Sequence, residues 1–203
     1  MHYPEFFDAA PVLMMRDPLA GFLGAMQDGL VDYHYADAVM LAGHSCPTVA
    51  AAFLMTRAAL NSLYPDEIPL RGGIKVSFRD DQRAGVTGVI ANVVSFITGV
   101  TQENGFKGIG GHFDRRHLLE FNVDMDAEIR FTRVDTNAAA EVAADLSTVP
   151  MDPHVRQLLP ECISGSAKAS AVEEFRRLWQ DRVRRLLLEH KDDKEVIQVR
   201  LLQ

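Results

Sequence analysis

The run PTVAAAFLMTRAALNSLY, residues 47–64, constrains the fold more than any other part of the chain. Pro47 presets the backbone for a first helical turn and lacks an N–H that would be unpaired there anyway. Beyond it, Val49, Phe53, Leu54, Leu60 and Leu63 with the intervening alanines leave almost no polar side. A helix that is apolar nearly all round must be covered on every side. The segment from 48 to about 64 is therefore expected as a central helix. GIKVSF follows it, with Ile74, Val76 and Phe78 alternating with Lys75 and Ser77. That period of two predicts a strand whose apolar face packs on the helix. The two segments together predict an α+β fold.

The flanking sequence supplies the remaining elements. DPLAGFLGAMQDG reads as a short helix capped by Asp17 ahead of Pro18 and ending near Gly24. LVDYHYAD is strand-like, and a second short helix is expected from Asp37 to about Gly43, with His34 beside the change of structure. VTGVIANVVSFITG has β-branched residues that favour a strand, yet its length and unbroken apolar character suit a buried helix, which is the expected state. HLLEFN and EIRFTRVDT read as strands, neighbours through the VDMD turn, whereas AEVAADLS fits either a strand or a helix. Pro150, Pro153 and Pro160 suggest a loop that also contains Cys162. The stretch from Ala169 to His190 carries a helical stripe of Val172, Phe175, Leu178, Trp179, Val183 and Leu186, and EVIQVRLL reads as a strand. The expected organisation is a single α+β domain over 1–203 with a mixed or antiparallel sheet packed against helices. Its core spans about 30–135, preceded by an N-terminal helical segment and followed by a helix–strand extension.

Composition narrows the function. A formal net charge of −7 argues against a broad nucleic-acid or anionic-membrane surface, because phosphates are bound by concentrated Lys and Arg. No apolar run approaches the roughly 20 residues of a spanning helix, and MHYPEFFDAAP lacks the basic-then-apolar layout of a signal peptide. A cytoplasmic protein that is not membrane-bound is expected. Cys46 and Cys162 are the only cysteines, so a disulfide framework and a zinc ribbon built on paired cysteines are both excluded.

The chemistry concentrates in LAGHSCPTVAAAF, from Leu41. A Cys just before Pro47 takes the N-cap position, where unpaired N–H groups and the positive end of the helix dipole favour negative charge on sulfur. His44, two residues earlier, can supply a metal-binding imidazole or a proton acceptor. Two groups are fewer than the three or four that zinc takes from protein, so further ligands must come from elsewhere. GGHFDRRH offers His112, Asp114 and His117, and on a strand His112 and Asp114 would share a face. His112 is the first choice for a third ligand, followed by His117, Asp114 and His34. ENGFKGIGG is a glycine-rich loop without the Lys-Ser/Thr ending of a phosphate loop. Arg79, Asp80 and Asp81 read as a solvated strand end, and the charges of FRRLWQDRVRR as a solvated helix face.

GHSCP ahead of the long helix, together with ITGVT after the second, resembles the FmdE-like family, named after a small component of formylmethanofuran dehydrogenase, over about residues 37–131. The resemblance implies a core like the substrate domain of glyceraldehyde-phosphate dehydrogenase, an intertwined homodimer, and a metal, usually zinc, at His44 and Cys46. The chain departs from the family pattern at Val89 and Val100, where cysteines are common, and at Asn92, where Asp is. Chemistry using several thiols is therefore not implied. The C-terminal zinc finger of some members has no counterpart, and the activity in the family name does not transfer to a chain without cluster or pterin motifs. The expected function is zinc binding at His44 and Cys46, with a small molecule bound or acted upon there. The alternatives are an enzyme using Cys46 as nucleophile and His44 as base, or an accessory component of an oxidoreductase complex.

Overall fold

In a computed structural model that describes residues 3–202, six α-helices and two sheets form an α+β fold. The chain begins with β1 (Leu13–Arg16), α1 (Pro18–Phe22), β2 (Leu30–Tyr33) and α2 (Tyr35–Ala42). It continues through α3 (Pro47–Leu63), β3 (Ile74–Phe78), α4 (Thr87–Thr98), β4 (Leu119–Glu120), β5 (Ile129–Arg133) and β6 (Ala139–Ala144). The remaining elements are α5 (Pro153–Ser164), α6 (Ala169–Leu188) and β7 (Ile197–Leu202). β1 and β2 form an antiparallel hairpin, and the larger sheet has the order β4-β3-β5-β6-β7. Its pairs are antiparallel except β3 with β4.

α3 occupies the centre that its composition requires. Val49 to Thr56 are all buried, and the helix packs against α2, α4 and α6 as well as β5, β6 and β7. Thr56 escapes an unpaired hydroxyl by donating to the Ala52 carbonyl at 2.7 Å. α4 is helical as expected. Ile90, Ala91, Val93, Val94 and Ile97 are buried, and Gly99 ends the helix at φ 75°, a left-handed position suited to glycine. On the sheet, Ile74, Val76, Phe78, Ile129, Phe131 and Val142 supply the core. Between them, Ser77 donates to Glu120 at 2.6 Å, and buried Glu141 accepts from Arg130 at 2.6 Å and from Arg200. Those hydrogen-bonded polar side chains make the polar half of the strand alternation.

Several elements differ from expectation. Residues 153–164 form a helix rather than a loop: Asp152 accepts from the His154 N–H at 2.8 Å, Pro153 opens the first turn, and Gly165 closes the last at φ 72°. Cys162 thus lies in α5. β4 has only two residues and pairs with β3, so it is not the neighbour of β5. The AEVAA part of AEVAADLS falls in strand β6, which is paired on both sides, and the chain leaves the strand at Asp145 for a short 3-10 turn over Leu146–Thr148. α2 begins before Asp37, whose carboxylate accepts from the His34 N–H at 2.8 Å and so stabilises the first turn from inside it. His112 and Asp114 share no strand face, because the segment around them is irregular and Phe113 and His117 have positive φ. No helix among the described residues is long and apolar enough to cross a membrane.

Candidate functional site

Residues 43–46 form the corner between α2 and α3. Gly43 ends α2 at φ 74°, and Cys46, in extended conformation, is the N-cap of α3. The turn between them is pinned by α6. Trp179 donates its indole N–H to the Ser45 carbonyl at 3.0 Å, and Gln180 donates to the same oxygen at 3.3 Å. The Ser45 hydroxyl in turn donates to Gln180 Oε1 at 2.9 Å. With that hydrogen committed, Tyr35, whose hydroxyl lies 3.0 Å from Ser45 Oγ, is the donor in their contact. Burial pushes the Tyr35 hydroxyl above its ordinary pKa; the Ser45 contact and the Cys46 amide pull the other way without restoring it. Tyr35 is therefore a neutral hydrogen-bonding post at physiological pH.

The geometry treats His44 and Cys46 differently. His44 is exposed, and its Nδ1 lies 2.9 Å from the Ala42 carbonyl. A carbonyl only accepts, so the hydrogen is on Nδ1, and Nε2 is left to meet a ligand. This second hydrogen bond is the device that orients metal-binding histidines. Cys46 is buried and its side chain makes no capping bond to α3. Beside the corner, His44, Ser45, Leu159, Phe175, Trp179 and Gln180 line a cleft of about 310 Å³, with Arg176 at the same wall. Phe175 and Trp179, with ring centroids 5.7 Å apart, give it an aromatic side.

The remaining candidates lie elsewhere. His112 and Asp114 line a different cleft, with Arg71 and Arg115. Asp114 is committed to Arg116 by contacts of 2.7 and 3.0 Å, which hold its carboxyl down to about 2. His117 is exposed at a positive-φ position, and His34 caps α2. Among the described residues, no three His, Cys, Asp or Glu side chains gather as a metal ion would require. Sequence reading missed Tyr35, Ser45 and Gln180 as parts of the corner. Trp179 was read only as part of a core stripe, although an indole N–H in a half-buried stripe calls for an acceptor.

A comparison with known protein families finds no match, and a comparison with curated proteins finds none either.

Proposed function

We propose that the corner binds a small molecule through a zinc ion held by His44 and Cys46, in a homodimer of the FmdE-like type. The observation that carries this reading is the His44 ring. Its Nδ1 is anchored on the Ala42 carbonyl, leaving Nε2 free two residues from a helix-capping Cys. The donor set fits zinc as half of a site. A soft sulfur and an imidazole are its preferred protein ligands, and the other positions fall to a second copy of the chain or to the bound molecule. Zinc would supply Lewis acidity toward an oxygen-bearing ligand. The chain's own residues shape the rest: Trp179 and Phe175 form an apolar wall, and Ser45 and Gln180 hold the corner's backbone in place.

Elemental analysis tests the reading directly. Purified protein is expected to carry stoichiometric zinc and to scatter light as twice the 22.5 kDa chain mass, while His44→Ala and Cys46→Ala each lose the metal. Metal-free protein, or zinc retained in both variants, rules the reading out. A second reading, Cys46 as nucleophile with His44 as base, rests on the placement of Cys46 at the start of a 17-residue helix. It predicts alkylation of Cys46 in metal-free protein faster than that of a free model thiol.

A further inference from the structure

The central helix is left bare along one stripe. From Val49 to Leu63 every residue of α3 is buried except Arg57, Ala58, Asn61 and Ser62. Their spacing, i, i+1, i+4 and i+5, puts them on one face of the helix. The same four residues line a groove of about 590 Å³ together with Val199 and Leu201 of β7. β7 is an end strand of the larger sheet; it pairs with β6 on one side and, among the described residues, with no strand on the other. Val199 and Leu201 are 36% and 58% exposed. The uncovered stripe of α3 and the free edge of the sheet therefore border the same space.

An occupant that completes both must bring a strand for the edge and a surface for the stripe, and a second copy of the chain brings the two together. α3 lies mainly over β6 and β7 and only marginally over β5. If two copies join antiparallel through β7 with their helices on the same side, the two α3 axes fall two strand spacings apart, roughly 10 Å. That is the separation at which helices pack, and the small side chains of Ala58 and Ser62 let them approach. The strand also suits itself. With Val199 on the two-fold axis, Ile197 of one copy faces Leu201 of the other, apolar on apolar, and Gln198 faces Arg200. An axis at Arg200 would instead set like charges opposite each other. Arg200 keeps its own partner, Glu141 of β6.

We propose that two copies of the chain pair antiparallel through β7 about a two-fold axis at Val199, joining their five-stranded sheets into one and closing the bare stripe of each α3 against the other. This pairing satisfies the backbone groups of the exposed edge and buries Val199 and Leu201 in the same step. It names the surface of the homodimer proposed above and rests on that part of the reading, not on the zinc.

Light scattering of the wild-type chain over a range of concentrations is expected to reach twice the 22.5 kDa chain mass. Val199→Lys sets two ammonium groups against each other on the axis and should raise the dimer dissociation constant at least about tenfold. Opposite residues of adjacent antiparallel strands lie within disulfide reach. Val199→Cys oxidised with diamide should therefore run as a covalent dimer in a non-reducing gel. Lys194→Cys, five residues from the axis, and the wild type with its own Cys46 and Cys162 should not. Should Val199→Lys not fold, the wild-type mass and the two cysteine variants decide. A monomeric wild type overturns this proposal together with the homodimer. A dimer that is unaffected by Val199→Lys, that gives no cross-link through Val199→Cys above wild type, or that cross-links equally through Lys194→Cys overturns this proposal alone. Zinc at His44 is read separately by elemental analysis and stands or falls apart from either result.

Discussion

Ser45 shows how much one small residue can fasten. Its hydroxyl and carbonyl together meet Tyr35, Trp179 and Gln180, tying the α2–α3 corner to α6. Gln180 takes part through both ends of its amide. Gln180→Ala removes two of these bonds and leaves Ser45 Oγ without its acceptor; a loss of about 1–3 kcal/mol is expected, read as a lower urea midpoint with an unchanged slope. Asp17 plays the corresponding part at the start of α1. Burial pushes its carboxyl up, but the Ala20 N–H and the Arg71 and Arg115 guanidinium groups outweigh that and leave its pKa below the ordinary value. A carboxyl lowered in the folded state contributes stability above its unfolded pKa, near 3.9, and loses it as pH falls through the folded value. Asp17→Asn should therefore cost on the order of 3 kcal/mol at neutral pH. Thermal unfolding curves of variant and wild type should converge on acidification below about pH 4. A gap in Tm that does not narrow as pH falls below about 4 would contradict the linkage.

Among the elements, α3 and α6 were legible because their apolar spacing is helical over many turns, and α3 is buried nearly all round as that spacing requires. β3 was legible from strict alternation. α5 was hidden by its prolines, which read as loop punctuation although Pro153 starts the helix and Pro160 is tolerated within it. Pro160 removes a helical N–H and crowds the preceding turn, so Pro160→Ala at this exposed position should stabilise the protein by up to about 3 kcal/mol. A loss of stability in chemical denaturation would show that the proline ring itself is needed there. The pairing of β4 was illegible for another reason. Two residues carry no periodicity, and their alignment beside β3 depends on the irregular stretch before them. The site divides in the same way. The local sequence around Pro47 suffices to expect the placement of Cys46 at a helix start, whereas the contacts of Ser45 with α6 span 134 and 135 residues and leave no local trace.

At the scale of the whole molecule, one buried cluster extends from Phe7 to Ile197 and surrounds α3, and it includes Cys46, so the α2–α3 corner is mounted on that core. The sheet leaves its two edges unequal: β4 is two residues long, while β7 runs for six with Val199 and Leu201 exposed. Short edges resist pairing with other chains, and longer ones with apolar side chains invite it. Trp179 is the chain's only tryptophan, and its indole N–H is hydrogen-bonded beside His44. Excited at wavelengths that tyrosine does not absorb, the chain's fluorescence therefore originates at a single indole in the wall of that cleft. Zinc or a small molecule arriving there should alter its intensity or colour without any added dye, and the change should vanish in His44→Ala. A titration that leaves the emission untouched would place the binding event somewhere else, making this one ring an optical witness to the occupancy of the corner.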